Sequence, residues 1–153
     1  MSQQALLRRV VEALDVAGIP YMLTGSLASS LQGEPRATHD VDVVIEIAEP
    51  EVPRLLRSLA APDLYLDEAG VAEAVRERTM FNLIAPSTGD KVDFWPLTDE
   101  PFDRSRFDRR QWVDALGLRL AVSGPEDTIL MKLRWAQESG GSEKQITDAL
   151  RAS

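Results

Sequence analysis

The chain has 153 residues, 44% of them hydrophobic and 27% charged, which suits one compact soluble domain with a real core. Its formal net charge of −8 argues against a broad non-specific nucleic-acid surface, which needs the opposite sign. The absence of cysteine excludes disulfides, a thiol nucleophile and a Cys-based zinc site.

No apolar run approaches the roughly 20 residues needed to span a bilayer, so no membrane partner is expected. The opening MSQQALLRRVVEAL is amphipathic and lacks the apolar core and cleavage site of a secretory signal. A cytoplasmic location is therefore expected. With no repeat, low-complexity tract or dividing linker, residues 1–153 read as a single domain.

In chain order, Leu6, Leu7, Val10, Val11 and Leu14 form one helical stripe over residues 3–17, which Gly18 stops. Ile19–Thr24 is a short apolar run and reads as a buried strand entering at Pro20. Gly25 breaks it, and Ser26–Gln32 reads as a short helix with Ser26 near its start. Glu34–Thr38 is a polar loop. Asp40–Ile47 is a second strand, followed by helical spacing over Pro50–Leu59 and Asp67–Arg78, the latter weakened by Gly70. Met80–Ala85 and Lys91–Trp95 are strands joined by PSTGD, a hairpin signal. Pro101–Arg110 is irregular or briefly helical, and Leu118–Val122 is a last strand. Ser123, Pro125, Glu126 and Asp127 carry the start signals of a helix over Pro125–Gln137, and Glu143–Arg151 is a final helix. The order predicts an α/β (α+β) fold, a mixed sheet flanked by helices, with C-terminal helices from about residue 124 packing on it.

Asp40 and Asp42 interrupt the apolar run VDVVI. Strand alternation puts both on one face and Val41, Val43 and Ile45 on the other. Adjacent like charges repel unless something positive separates them, and carboxylate oxygens suit Mg²⁺ or Mn²⁺. Asp93, in KVDFW, joins the pair if its strand lies beside Asp40–Ile47. Three such acids can hold two metals about 3.5–4 Å apart and clamp an in-line phosphoryl displacement. The plainer alternative is an edge strand whose acids face water.

Gly25-Ser26 sits between a strand and a helix, where unpaired N–H groups and the helix dipole favour an anion. Gly25 admits a phosphate close to the backbone, and the Ser26 hydroxyl adds a donor. Many strand-to-helix turns use Gly-Ser for geometry alone. A phosphate cradle followed by two acids on the next strand is the more specific combination.

Leu23-Thr24-Gly25-Ser26, a spacer, then Asp40-Val41-Asp42-Val43 resembles the signature of the DNA polymerase β-type nucleotidyltransferase superfamily over roughly residues 20–95. RATHDVDVVI looks most like the AbiEii-type and related toxin–antitoxin nucleotidyltransferases. The resemblance implies that Asp40, Asp42 and Asp93 bind Mg²⁺ (or Mn²⁺), with Asp93 activating the acceptor hydroxyl. It implies that Gly25 and Ser26 hold the triphosphate. The reaction would transfer a nucleoside monophosphate from a nucleoside triphosphate to a hydroxyl of an RNA end, a protein or a small molecule, releasing pyrophosphate. PEDTILMKLRWA resembles the helix whose lysine faces the phosphates, so Lys132 either reaches them or snorkels to the surface. Arg36 and Thr38, in the loop before Asp40, are candidate nucleotide contacts, and a solvated Arg36 is the plainer reading. His39 reads as structural or surface.

Arg104, Arg106, Arg109 and Arg110 can guide RNA phosphates, but the interleaved Asp103 and Asp108 favour a self-neutralised loop. Trp95, Trp112 and Trp135 are expected in the core rather than stacked on a base. Two other classes stay open: a non-catalytic nucleotide-binding or antitoxin-like subunit, and an aminoglycoside-type modifying enzyme. AbiEii-type proteins are usually longer. The acceptor site is therefore expected to be reduced, or supplied by another chain; an antitoxin and a homodimer mate are the candidate partners.

Overall fold

The computed structural model describes residues 3–24, 41–115 and 117–124, together with the backbone of Asp40. The predicted helices at 26–32, 125–137 and 143–151, and the loop 34–38, lie outside the described residues.

Helix α1 (Gln3–Ala17) buries Leu6, Leu7, Val10, Val11 and Leu14, the stripe that its spacing predicts. Gly18 ends it in the left-handed region, at φ +69°, where a Cβ is penalised. The Ile19 N–H then donates back to the Leu14 carbonyl at 2.9 Å. Strand β1 (Tyr21–Thr24) begins after Pro20, which has no N–H to give a ladder. Strand β2 (Asp40–Ile45) follows.

A short 3₁₀ turn at Glu49–Glu51 leads into α2 (Val52–Leu59), where the prolines occupy positions that make no intrahelical N–H bond. Strand β3 (Tyr65–Leu66) and helix α3 (Glu68–Glu77) come next. Gly70 does not break α3. A Cβ there would lie 2.6 Å from Asp67 Oδ2, so the glycine makes room for the side chain at the helix start. Strands β4 (Phe81–Ala85) and β5 (Asp90–Pro96) form the expected hairpin, with Gly89 at φ +79°. Helix α4 (Pro101–Asp108) forms where the sequence predicts an irregular or briefly helical stretch. Strands β6 (Gln111–Ala115) and β7 (Leu118–Val122) close the described chain.

The strands form one seven-stranded sheet, ordered β3-β4-β5-β2-β1-β7-β6. β1 runs antiparallel to β2 and parallel to β7, while β2 runs parallel to β5. Alternation assigns the two faces. Val41, Val43 and Ile45 of β2, Val92 and Phe94 of β5, and Phe81 and Leu83 of β4 join the main core, with the buried faces of α1, α2 and α3. On the opposite face Met22, Val44, Leu97 and Phe107 make a smaller apolar cluster beneath α4. Among the described residues, no helix is long and apolar enough to cross a membrane.

Tyr21 ties β1 to β7. Its hydroxyl oxygen accepts the Ala121 N–H at 3.3 Å, and burial, the largest influence, pushes its pKa above the ordinary tyrosine value. Tyr21→Phe leaves that buried donor without its acceptor. It is expected to cost about 1–3 kcal/mol in a urea melt. An unchanged midpoint would show that the N–H finds another acceptor.

Candidate active site

The face of the sheet opposite the main core carries a row of polar residues set by strand register. Thr24 of β1 pairs with Asp42 of β2. Asp42 pairs with Asp93 of β5, and Asp93 pairs with Asn82 of β4. Thr24, Asp42, Asp93 and Asn82 therefore cross four neighbouring strands in one line. Neighbouring strands lie about 4.7–4.9 Å apart, so the in-register Asp42 and Asp93 are lateral neighbours. Both are half-buried, at the edge of solvent rather than in the core. Asp40 stands two strand positions before Asp42, in register with Lys91. Its side chain lies outside the described residues.

The indole Nε1–H of Trp95 donates to Asp42 Oδ1 at 3.2 Å. Trp95 stands two residues after Asp93 and so shares its face. It is 39% exposed, not in the core as expected. Trp112 departs from the core expectation in the same way, at 50% exposed. The polar row supplies no apolar lid for the first ring, and the second sits on an edge strand with one strand neighbour.

The basic cluster does not behave as one self-neutralised loop. Helix α4 carries Arg104 and Arg106 and sends them to different partners, and Arg109 and Arg110 follow its end. Arg104 pairs with Glu46 at 2.7 Å and Asp99 at 3.0 Å rather than with the interleaved acids. Asp103 instead accepts the Thr98 hydroxyl at 2.6 Å. Arg110 lies over the Phe107 ring at 4.3 Å. Arg106 turns inward. It is 5% exposed, and its Nη1 donates to Thr24 Oγ1 at 3.4 Å, at the end of the polar row. Spacing by itself gives no reason to single out Arg106, because the docking of α4 decides which of the four arginines faces the sheet.

Among the described residues, no three His, Cys, Asp or Glu side chains gather as a metal cluster. The described donor set is the Asp42–Asp93 pair. That set fits Mg²⁺, which takes one or two carboxylates and completes its shell with water and substrate phosphates. Gly25, Ser26, Arg36, Thr38 and Lys132 lie outside the described residues. The last residue described before Gly25 is Thr24, beside Asp42 in register.

No protein-family model and no curated protein sequence matches this chain. Solved structures do. An antigenic nucleotidyltransferase-like protein from Paracoccidioides brasiliensis aligns at TM-score 0.62 and 21% identity, over 98% of this chain and 74% of that one. A nucleotidyltransferase-class protein from Thermotoga maritima aligns at 0.61 and 16%, over 89% and 86% of the two chains. The antibiotic-resistance factor ANT(2'')-Ia, in complex with adenylyl-2''-tobramycin, aligns at 0.61 and 16%, over 99% and 88%. The chain has a nucleotidyltransferase-like fold.

Proposed function

We propose that this protein is a metal-dependent nucleotidyltransferase that moves a nucleoside monophosphate from a nucleoside triphosphate to an acceptor hydroxyl. The observation that carries the reading is the register of β2 on β5, which sets Asp42 beside Asp93, both half-buried, on the face of the sheet opposite the main core. An evolved strand pair that only needed to fold would gain nothing from two lateral like charges, which repel.

Asp42 and Asp93, with Asp40 two positions along the strand, hold Mg²⁺ or Mn²⁺. The bound metal supplies charge neutralisation for the phosphates and a Lewis acid at the α-phosphate. Trp95 keeps one oxygen of Asp42 in a hydrogen bond and so fixes the carboxylate rotamer. Asp93 accepts the proton of the attacking hydroxyl. The acceptor oxygen forms a bond to the α-phosphorus, the α–β bridging bond breaks, and pyrophosphate leaves. Gly25 and Ser26 cradle the triphosphate, with Arg36, Thr38 and Lys132 as further contacts. Positioning and electrostatics provide most of such a rate enhancement. The acceptor is an RNA end or a protein, in a cytoplasmic setting, and the AbiEii-like motif favours a toxin–antitoxin role with an antitoxin as partner; a homodimer mate is the other candidate partner.

A second reading, a small-molecule acceptor, is favoured by the likeness to ANT(2'')-Ia, whose structure holds an adenylylated aminoglycoside. An acidic protein also suits a cationic acceptor.

The deciding experiment offers four α-labelled nucleoside triphosphates with Mg²⁺ or Mn²⁺ to total RNA, lysate protein and tobramycin. Label on RNA or protein supports the first acceptor class, and label on tobramycin the second. Metal-dependent nucleotide binding without transfer would favour a binding subunit, and neither binding nor transfer would sink the reading. Trp95→Phe keeps the ring and removes the N–H from Asp42. It is expected to lower Mn²⁺ affinity about 10–100-fold, as loss of an outer-shell partner does. Titration followed by electron paramagnetic resonance measures it, and wild-type affinity would show that Asp42 orients itself.

A further inference from the structure

The polar row has an apolar neighbour two strand positions along. Met22 of β1 pairs with Val44 of β2, and Val44 pairs with Trp95 of β5. Met80, the residue before β4, continues the line, because Phe81 and Phe94, the next residues inward on the two strands, pair within the main core. Phe107 of α4 covers Met22 and Val44, which are buried. Trp95 and Met80 are left open, at 39% and 40% exposed. The face beside the candidate acids thus ends in an uncovered indole and thioether.

A cation stands at the rim of this shelf. Helix α3 ends at Arg78 with φ +60°, the one positive φ at a non-glycine among the described residues. That conformation is costly for a residue with a Cβ. The Arg78 Nη1 donates to the Leu97 carbonyl at 2.7 Å, which holds the guanidinium beside the residue two beyond Trp95. Among the described residues no carboxylate pairs with Arg78, whereas Arg104 has Glu46 and Asp99. The other N–H groups of the guanidinium suit phosphate oxygens.

We propose that Trp95, Met80 and Arg78 form an acceptor subsite that takes the end of a single-stranded RNA: the terminal base stacks on the indole and thioether, and a backbone phosphate meets Arg78. The inference rests on the nucleotidyltransferase reading above and names its acceptor. The Trp95 indole N–H donates to Asp42, so a group resting on this ring lies at the acids. Trp95 also stands two residues after Asp93, the acid assigned to the acceptor hydroxyl, which puts the shelf on the acceptor's side. A base of any identity gains from stacking on an indole, and a thioether contact with an aromatic ring adds to it. The cation at the rim favours an acceptor that carries phosphate over a cationic one. The net charge of −8 confines the contact to the end of the RNA rather than its length.

The test follows binding with Mg²⁺ present throughout. Short single-stranded RNAs, with and without the terminal base, are titrated by fluorescence anisotropy against wild type, Met80→Glu, Arg78→Gln and Arg78→Lys. Nucleoside triphosphate affinity is measured alongside by calorimetry. The wild type is expected to bind the base-bearing RNA about tenfold or more tightly than the abasic one. Met80→Glu is expected to erase that difference. Arg78→Gln is expected to weaken both RNAs several-fold, with recovery in Arg78→Lys. Equal binding of the two RNAs by wild type overturns the proposal, as does a base preference that survives Met80→Glu or an Arg78→Gln that binds RNA like wild type. If the variants do not fold, the indole N–H signal of Trp95 in wild type decides, assigned with Trp95→Phe. A shift with base-bearing RNA but not with abasic RNA supports the stack, and an unmoved signal overturns it. Tobramycin that moves this signal where RNA does not would give the shelf to a small-molecule acceptor and overturn the RNA assignment. A wild type that binds triphosphate but no RNA overturns this proposal alone. A wild type that binds no triphosphate overturns the enzyme reading and this proposal with it.

Discussion

Asp42→Asn is expected to lower nucleotidyl transfer by about 10²–10³-fold or more, the scale of losing one preorganised electrostatic group. Asparagine keeps the shape of the side chain and an oxygen that can still accept the Trp95 indole N–H. It loses the charge. The fold should not suffer, because Asp42 and Asp93 are lateral neighbours of like sign and only half-buried. Removing one relieves repulsion, so thermal stability should stay level or rise. The two measurements together separate chemistry from folding: transfer falls while the melting temperature holds. Wild-type transfer by Asp42→Asn would remove this carboxylate from the site and with it the main support for the enzyme reading. A collapse in melting temperature would instead assign Asp42 a structural duty.

Phe94→Ala carries the largest expected effect on stability. Phe94 is fully buried, and its ring stacks on that of Phe81 with centroids 5.0 Å apart and planes 11° from parallel. It lies in register with Phe81 on one side and Val43 on the other, so its ring occupies the core under three neighbouring strands. Truncation of a buried phenylalanine costs about 3–5 kcal/mol through lost transfer energy and the cavity left behind. A typical domain has only about 5–15 kcal/mol in total, so the variant should be close to unfolded at growth temperature. Chemical denaturation with guanidinium measures the change. A cost below about 1 kcal/mol would mean that the site collapses around alanine or that β5 is not packed as described. Phe94 is also the residue next to Asp93 in the chain.

The core was largely legible from the sequence. The stripe of α1, the hairpin of β4 and β5, and the period-two alternation of β2 and β5 are local patterns, and each appears in the fold. Other elements were not legible for identifiable reasons. β3 is only two residues long, too short to show a period. β6 is an outer strand of the sheet with Gln111, Trp112 and Asp114 exposed, and its adjacent Trp112 and Val113 blur the alternation. Its signal was the Gly117 turn before β7, with φ +73°, which marks a hairpin that pattern matching on apolar residues overlooks. The exposure of Trp95 could have been inferred from parity with Asp93. The burial of Arg106 could not, because four arginines lie within seven residues and only helix docking distinguishes them.

What the sequence determined by itself was which residues share a face. Side-chain alternation along a strand is set by the backbone's own geometry, so Asp42 had to lie opposite Val41 and Val43 wherever the strand went. What only the tertiary structure decided was which residues from distant segments meet. The parallel pairing of β2 with β5 brings Asp42 to Asp93, and the docking of α4 brings Arg106 to Thr24. Neither partner is named by any local period. A one-residue slip of β5 against β2 would have moved Asp93 to the core face, and it is the burial of Val92 and Phe94 with Val41 and Val43 that fixes the register.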